Sequence, residues 1–200
     1  MKSNIEELKE KYPIGTKIKL LQDMDDIQPI KAGEIGIVEY IDDEGSLHMS
    51  WDNGSSLAII PEIDKFEVIE YPEKIKVIII EPEKNPYVKE IYNTLKAKQE
   101  IVGGRIQCLP TLFSDKESYD FICNEEGNLQ GLTPNRFIFD KQDVIEGNII
   151  IAKADETTGE FVTLNDSEIE FLMKQIEEKC PQYNHIKVQN LEHDLEDRDI

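Results

Sequence analysis

The residues best suited to chemistry are gathered in one polar run of the chain. Apolar, strand-like segments flank this run, which reads Cys123-Asn124-Glu125-Glu126-Gly127-Asn128-Leu129-Gln130-Gly131-Leu132-Thr133-Pro134-Asn135-Arg136. Its asparagines offer amide donors and acceptors, and its arginine presents five donors in a planar fork that suits a phosphate or a carboxylate. The run therefore predicts a loop that binds a ligand or a partner through Asn124, Glu125, Glu126, Asn128, Asn135 and Arg136.

A structural hairpin explains the same polar run, and the sequence leaves both interpretations open. Residues 124–128 would then form the turn, in which a glycine supplies a positive φ. Residues 134–135 would start a helical turn. Arg136 would pair with Glu125 or Glu126 instead of meeting a ligand.

A second, smaller groove is expected beside Trp51 and Asn53, the first of which is the only tryptophan in the chain. An aromatic side chain at the end of a strand can line a groove for a peptide or a sugar. It can equally fill the core of a small domain, because aromatic rings dominate burial there. The sequence favours the core for Trp51 without excluding the groove.

No motif for catalysis or metal binding accompanies the polar run. The histidines share no motif with a serine or a cysteine, and nucleophilic catalysis needs a base held beside the nucleophile. The acidic turns at 23–26 and 42–45 lack the alternating ligands of a calcium loop. No cysteine or histidine cluster supplies a zinc site, and no phosphate-binding glycine motif occurs. We therefore expect a protein that is not an enzyme and that uses no cofactor and no metal.

The composition is strongly acidic, with 42 aspartates and glutamates against 22 lysines and arginines and a net charge of −20. Nucleic acids and anionic membranes are bound by clustered cations, so we expect neither as a direct partner. The three cysteines form no Cys-x-x-Cys pair, which is typical of a reduced protein. The first residues lack the apolar stretch of a signal peptide, and no run has the length of a membrane span. These features predict a cytoplasmic protein.

Short strands and tight turns dominate residues 1–70. A short helix over residues 3–11 comes first. Strands are then expected at 16–20, 34–41, 46–51, 56–60 and 64–69. Five short strands joined by tight turns predict a small, closed, all-β barrel of the SH3-like form, because closure removes exposed edges.

The composition changes after a linker at residues 71–74. Residues 75–180 predict an α+β domain with a mixed sheet and two helices, and residues 181–200 form an acidic tail. Apolar residues recur at helical spacing after Pro86 and predict a helix from Tyr87 to about Gln99. Strands are expected at 75–80, 105–109, 120–123, 148–152 and 160–163. A second helix, capped by Asn165 or Asp166, is expected to run to Glu178.

The first of these domains resembles an uncharacterised SH3-like family found in bacteria, phages and conjugative elements. The resemblance covers about residues 10–70. It rests on Tyr12-Pro13-Ile14-Gly15-Thr16, Gly33-Glu34-Ile35-Gly36-Ile37-Val38 and Trp51-Asp52-Asn53-Gly54-Ser55-Ser56-Leu57. It implies a fold and no activity.

The second domain resembles another uncharacterised family, which is common in phages and mobile elements. The resemblance covers about residues 75–178 and is most specific in the Asn-Glu-Glu-Gly to Pro-Asn-Arg part of the polar run. It also includes Lys76-Val77-Ile78-Ile79 and Ile101-Val102-Gly103-Gly104-Arg105-Ile106. Members of this family often lie beside plasmid and transposon functions such as antirestriction proteins.

Together these observations predict a non-enzymatic, cytoplasmic binding protein of a phage or mobile element. It would act in counter-defence by binding or sequestering a host protein or a small anionic, nucleotide-like ligand at the polar run. The alternative is an acidic DNA mimic that inhibits a restriction or repair protein. Mimicry requires carboxylates arranged with the spacing of phosphates along a duplex.

Overall fold

The computed structural model describes residues 2–110, 113, 117, 119–138 and 143–183, with side chains from residue 5 onward. The chain divides into two compact units, Met1–Glu73 and Lys74–Ile200. Most of the predicted acidic tail lies outside the described residues, as do His185 and His193. No helix among the described residues combines the length and the apolar character needed to cross a membrane.

The first unit contains one helix and one four-stranded antiparallel sheet. Helix α1 spans Lys2–Lys11, and the strands are β1 Lys17–Leu20, β2 Ile35–Ile41, β3 Leu47–Trp51 and β4 Phe66–Glu70. The strand order is β3-β2-β1-β4. Within residues 2–73 no pairing joins β3 to β4, so the sheet is open and not a closed barrel.

The expected fifth strand at 56–60 is reduced to a single bridge between Leu47 and Ile59. The indole nitrogen of Trp51 donates to the carbonyl of Leu57 at 2.7 Å. Among the described residues, the segment 56–60 joins the sheet only through the residue pair of Leu47 and Ile59. Gly36 lies opposite Trp51 on β2, where a Cβ atom would approach the indole ring to 2.8 Å.

The second unit is built on a six-stranded sheet that is antiparallel throughout the described residues, where the sequence had suggested a mixed sheet. The strand order is β6-β5-β11-β8-β7, and β12 also pairs with β11. The elements in chain order are β5 Lys74–Ile80, β6 Tyr87–Tyr92, α2 Leu95–Val102, β7 Ile106–Pro110, β8 Tyr119–Asn124, α3 Gly127–Gln130, β9 Pro134–Ile138, β10 Asp143–Glu146, β11 Ile149–Ala154, β12 Phe161–Val162 and α4 Asp166–Lys179. The predicted α+β architecture is confirmed.

The helix predicted from Tyr87 to about Gln99 is wrong in its first half. Residues 87–92 form β6, which pairs with β5 without a break from Ile79↔Tyr87 to Lys74↔Tyr92. Aromatic and β-branched residues favour a strand, and here the neighbouring strand decides between two possible periodicities. Helix α2 begins only at Leu95, after Thr94, whose side chain accepts the Ala97 amide at 3.2 Å.

Each face of the six-stranded sheet has its own hydrophobic core. One face packs Ile75, Val77, Ile79, Ile122 and Ile150 under α2. The opposite face packs against α4 and against the two-stranded sheet β9–β10, and includes Ile78, Ile80, Phe121, Ile149, Ile151, Leu172 and Ile176. Asn165 caps α4 in a capping box with Glu168, one of the two caps that the sequence indicates. The polar run contacts the helices on both faces, because Asn124 bonds the end of α2 and Arg136 bonds the residue that follows α4.

Candidate functional site

Asn124 is a buried member of the polar run and holds two helical segments together. Its side-chain amide lies 3.4 Å from the carbonyl of Val102 and 3.3 Å from that of Gly103, at the C-terminus of α2. Its side-chain oxygen accepts the Glu126 amide at 2.8 Å, which starts the turn leading into α3. Carbonyls at the end of a helix lack partners within the helix, so this contact stabilises α2.

Asn135 is buried as well and connects the two sheets of the second unit. Its side-chain amide donates to the carbonyl of Ile80, at the end of β5, at 2.9 Å and to that of Gly147 at 2.7 Å. The expected helical turn at 134–135 is wrong, because these residues open β9. The one helical turn of the run is α3, which begins at Gly127.

Arg136 is 5% exposed and points its guanidinium at backbone carbonyls. Its two terminal nitrogens lie 3.5 Å from the carbonyl of Cys180 and 3.3 Å from that of Lys84. Cys180 ends α4, where the helix dipole carries partial negative charge that favours a cation. Burial lowers the pKa of Arg136, and the Cys180 thiol opposes that shift.

The pairing of Arg136 with Glu125 or Glu126 that the hairpin interpretation suggests does not occur among the described residues. Glu125 is instead 3.7 Å from Arg105, a pair exposed to solvent. The carboxylate of Glu126 accepts the Gln130 side-chain amide at 3.2 Å. The run therefore separates into buried residues that hold the fold and residues that face solvent.

The solvent-facing part of the polar run is the turn α3 with the residues before it. Glu125, Asn128 and Gln130 are exposed, and Glu126 is half-buried. Leu129 belongs to the same turn, and 88% of its area is exposed. The sequence did not single out Leu129, because one leucine between glycines carries no periodic pattern.

The second unit also carries a groove of about 500 Å³ between strand β6 and helix α2. Its lining includes Tyr87, Lys89, Ile91, Ala97, Glu100 and Ile101. The sequence could not predict this groove, since one continuous helix was expected where the strand and the helix now face each other. The Asn93-Thr94 pair before Leu95 was the available signal, because threonine is a common N-cap.

Trp51 and Asn53 are both engaged within the first unit. Trp51 is buried in its core, as favoured above. The side-chain oxygen of Asn53 accepts the Ser55 amide at 2.9 Å and closes a tight turn. Asn53 also borders a shallow groove beside the loop at Gln28–Lys31, which Trp51 does not line.

The reactive side chains of the described residues are dispersed. Burial raises the pKa of the Cys123 and Cys180 thiols to about 11, which keeps them protonated at neutral pH. His48 bonds Asp42 at 2.9 Å and stacks on Tyr40 at the surface of the first unit. Among the described residues no group of three or more histidine, cysteine, aspartate or glutamate side chains is placed to hold a metal ion.

Comparison with protein families assigns both halves of the chain. Residues 75–177, more than half of the chain, match the family described as "Domain of unknown function (DUF3846)". Residues 1–69 match the family described as "Domain of unknown function (DUF4314)". This confirms that the halves correspond to two uncharacterised families. No curated protein and no solved structure matches the chain.

Proposed function

The chain belongs to the DUF3846 family, and on that premise we propose that it is a non-enzymatic binding protein that recognises another protein through the turn α3. The observation that carries this proposal is Leu129, which is 88% exposed at the centre of the turn. Single exposed leucines are common on protein surfaces. Leu129 differs because the backbone of its turn is fixed by hydrogen bonds and by close packing against β10.

Several contacts fix the turn α3 in place. Asn124 accepts the Glu126 amide just before the turn, and the Leu132 amide donates back to the carbonyl of Gly127 at 3.0 Å. Gly127 is buried so close to β10 that a Cβ atom would lie 3.1 Å from the carbonyl oxygen of Glu146. A surface element that is already ordered loses little conformational entropy on binding, which favours affinity.

The groups around Leu129 indicate the chemistry of the partner. An exposed apolar side chain with Glu125, Asn128 and Gln130 as exposed neighbours in the chain matches an apolar pocket rimmed by hydrogen-bond donors. The exposed charges nearest in sequence are carboxylates, which disfavour a small anionic ligand. Complete burial of a leucine contributes about 1.5–3 kcal/mol, or roughly tenfold to a hundredfold in affinity.

The resemblance of both halves to phage and mobile-element families supports a partner from the host cell. We extend the proposal accordingly to counter-defence, in which the chain occupies a host protein. A Leu129→Asp variant should then lose any protection that the wild-type chain gives to an incoming phage or plasmid. Equal protection by the two chains, expressed at equal levels, would contradict a role for α3.

Site-specific photo-crosslinking in living cells tests the proposed surface directly. A photoreactive amino acid at position 129 should yield one dominant adduct with another protein. The matched control is the same amino acid at Ile27, which is 99% exposed in the first unit. The proposal fails if position 129 gives no adduct beyond those obtained at position 27.

Salt dependence separates this proposal from a DNA mimic. A complex held by a buried leucine should change little in affinity when salt is raised from about 50 to about 200 mM, whereas proteins with 6–10 phosphate contacts lose roughly 10³–10⁵ in that range. A steep loss for the adduct partner would favour mimicry. The same measurement on Leu129→Ser shows whether the apolar contact contributes at all.

For the first unit we propose an SH3-like fold in an open form. The support is the bridge in which Leu47 and Ile59 exchange two backbone hydrogen bonds of 2.8 Å, where a fifth strand would begin. Slow hydrogen exchange of the amides at 56–60 would indicate further pairing there. Rapid exchange of all of them except Ile59 would leave the sheet as an open four-stranded one.

A further inference from the structure

We propose that the free edge of β6 takes an extended peptide of a partner protein as an added strand, whose side chains on the α2 face lie beside the groove between β6 and α2. This surface goes beyond the binding site proposed at α3, with which it shares no lining residue. The proposal rests on an open strand edge, on a preformed groove beside it, and on the charges along that edge.

Strand β6 is a long and regular edge. It pairs with β5 through six residue pairs and, within the described part of the chain, with no other strand. It contains no proline and no bulge, two of the features that block an edge; its charged residues Lys89 and Glu90 restrict pairing to a strand of complementary charge. The opposite edge of the sheet, β7, ends at Pro110, whose nitrogen carries no hydrogen. The outward-facing amides and carbonyls of β6 are therefore open to a further strand.

The helix that forms the other wall of the groove is held rigidly. Thr94 caps its N-terminus, and the Asn124 side chain bonds the carbonyls at its C-terminus. Asn148 donates to the carbonyl of Ile101 at 2.8 Å. The Lys98 ammonium donates to the Asn93 side chain at 2.7 Å. The polar run thus contributes to this groove by fixing one of its walls.

The dimensions of the groove suit side chains of an added strand. Tyr87, Lys89 and Ile91 alternate along β6 on the sheet face that carries α2, so every second side chain of a paired peptide would lie on that face, beside the β6 residues that line the groove. A volume of about 500 Å³ falls within the range of ligand pockets. Val88, on the opposite side of β6, is exposed and is available to the remaining side chains.

The charges on β6 argue against a second copy of this chain as the occupant. Two identical antiparallel strands that continue one sheet are related by a two-fold axis through a residue pair. To pair most of β6 with its copy, the axis must pass through Lys89 or through Glu90. It then places Lys89 opposite the Lys89 of the copy, or Glu90 opposite its Glu90. Such pairs destabilise a sheet. A partner peptide with an acidic residue opposite Lys89 and a basic residue opposite Glu90 meets no such conflict.

The expected partner sequence follows from this pairing. Read in its own direction along an antiparallel ladder, the peptide is apolar opposite Ile91, basic opposite Glu90, acidic opposite Lys89, apolar opposite Val88 and aromatic opposite Tyr87. The peptide Ser-Ile-Lys-Glu-Val-Tyr-Ser, blocked at both ends, embodies this pattern. Its counterpart with N-methylated backbone amides keeps the side chains and removes the donors.

Selection and binding experiments with the full chain test the proposal. Random octapeptides displayed on yeast and selected on the immobilised chain should be enriched in this alternating pattern. The blocked peptide should slow exchange of the β6 amides, and its N-methylated form should not. Lys89→Glu should weaken binding at least about threefold, and exchanging Glu for Lys in the peptide should restore it. Lys96→Glu, the same charge change on α2 outside the groove lining, should have no effect.

Other outcomes would overturn the proposal. It fails if no peptide is enriched. It also fails if the enriched peptides bind both Lys89→Glu and Ala97→Trp, which fills the groove, as tightly as they bind the wild-type chain. Concentration-dependent dimerisation that protects the β6 amides would make a second copy the occupant. Leu129→Ser should bind the peptide normally, so failure at this groove and failure at α3 are distinguishable.

Discussion

Replacement of Asn135 by alanine is expected to destabilise the second unit by about 2–4 kcal/mol. The side chain is buried, and its amide donates to the carbonyls of Ile80 and Gly147 at 2.9 and 2.7 Å. Each bond contributes about 1 kcal/mol net, and each carbonyl left without a donor adds a comparable cost. The oxygen Oδ1 has no hydrogen-bond partner among the described residues, so its removal returns part of that cost.

Hydrogen exchange measures this change in the second unit alone. The buried amides of Ile150 and Ile151 in β11 should exchange about 30–1,000 times faster in Asn135→Ala, since each 1.4 kcal/mol corresponds to a factor of ten. Trp51 lies in the first unit, so its fluorescence should show unchanged unfolding there.

Asn128→Ala provides the matched control for this experiment. Asn128 belongs to the same polar run but is exposed, so its replacement should change stability by no more than about 0.5 kcal/mol. Acceleration of less than about fivefold in Asn135→Ala would refute the structural role assigned to its amide. Equal effects of the two variants would refute the division of the run into buried and exposed parts.

Three further predictions concern other sites. Gly104→Ala should destabilise the second unit by about 1–3 kcal/mol, because its Cβ atom would lie 2.7 Å from the Asn124 amide nitrogen. In urea unfolding, the double variant Gly104→Ala with Asn124→Ala should lose less stability than the two single variants lose together. Asp42 should titrate below its ordinary pKa, mainly because His48 and also the Ser46 amide bond its carboxylate. The ionised carboxylate therefore stabilises the folded state above about pH 4, and this stabilisation is lost as the pH falls through the folded-state pKa. His48→Ala should raise the midpoint of the Asp42 titration measured by NMR. Iodoacetamide should modify exposed Cys108 in the native protein and should reach Cys123 and Cys180 only in denaturant. Mass spectrometry measures the labelling, and equal labelling of all three cysteines in the native protein would contradict the burial of Cys123 and Cys180.

Much of the fold could be predicted from local pattern. The apolar run at 75–80 predicted a strand, and β5 spans Lys74–Ile80 with both of its faces covered. Asn165 and Asp166 marked the start of α4, because capping is a local interaction, and the structure shows that Asn165 is the cap. The error at Tyr87–Gln99 arose because apolar residues there fit helical spacing, while pairing with β5 forms over residues distant in the sequence.

The candidate site shows the same division. The polar run was recognisable because asparagine, glycine and arginine are gathered without apolar periodicity. Which of its residues face solvent could not be inferred, since the side-chain nitrogens of Asn124, Asn135 and Arg136 donate to backbone carbonyls 12 to 55 residues away in the chain. Every residue has a backbone carbonyl, so the sequence does not indicate which carbonyl a buried side chain will meet.

The sequence by itself determined the acidic composition, the α+β character of the second half and the start of its last helix. These properties depend on side-chain type and on neighbours within a few positions. Only the tertiary structure decided that Arg136 lies buried at the end of α4, that Leu129 is exposed, and that β6 and α2 enclose a groove. Strand pairing and burial join residues far apart in the chain, so they follow from packing and not from local pattern.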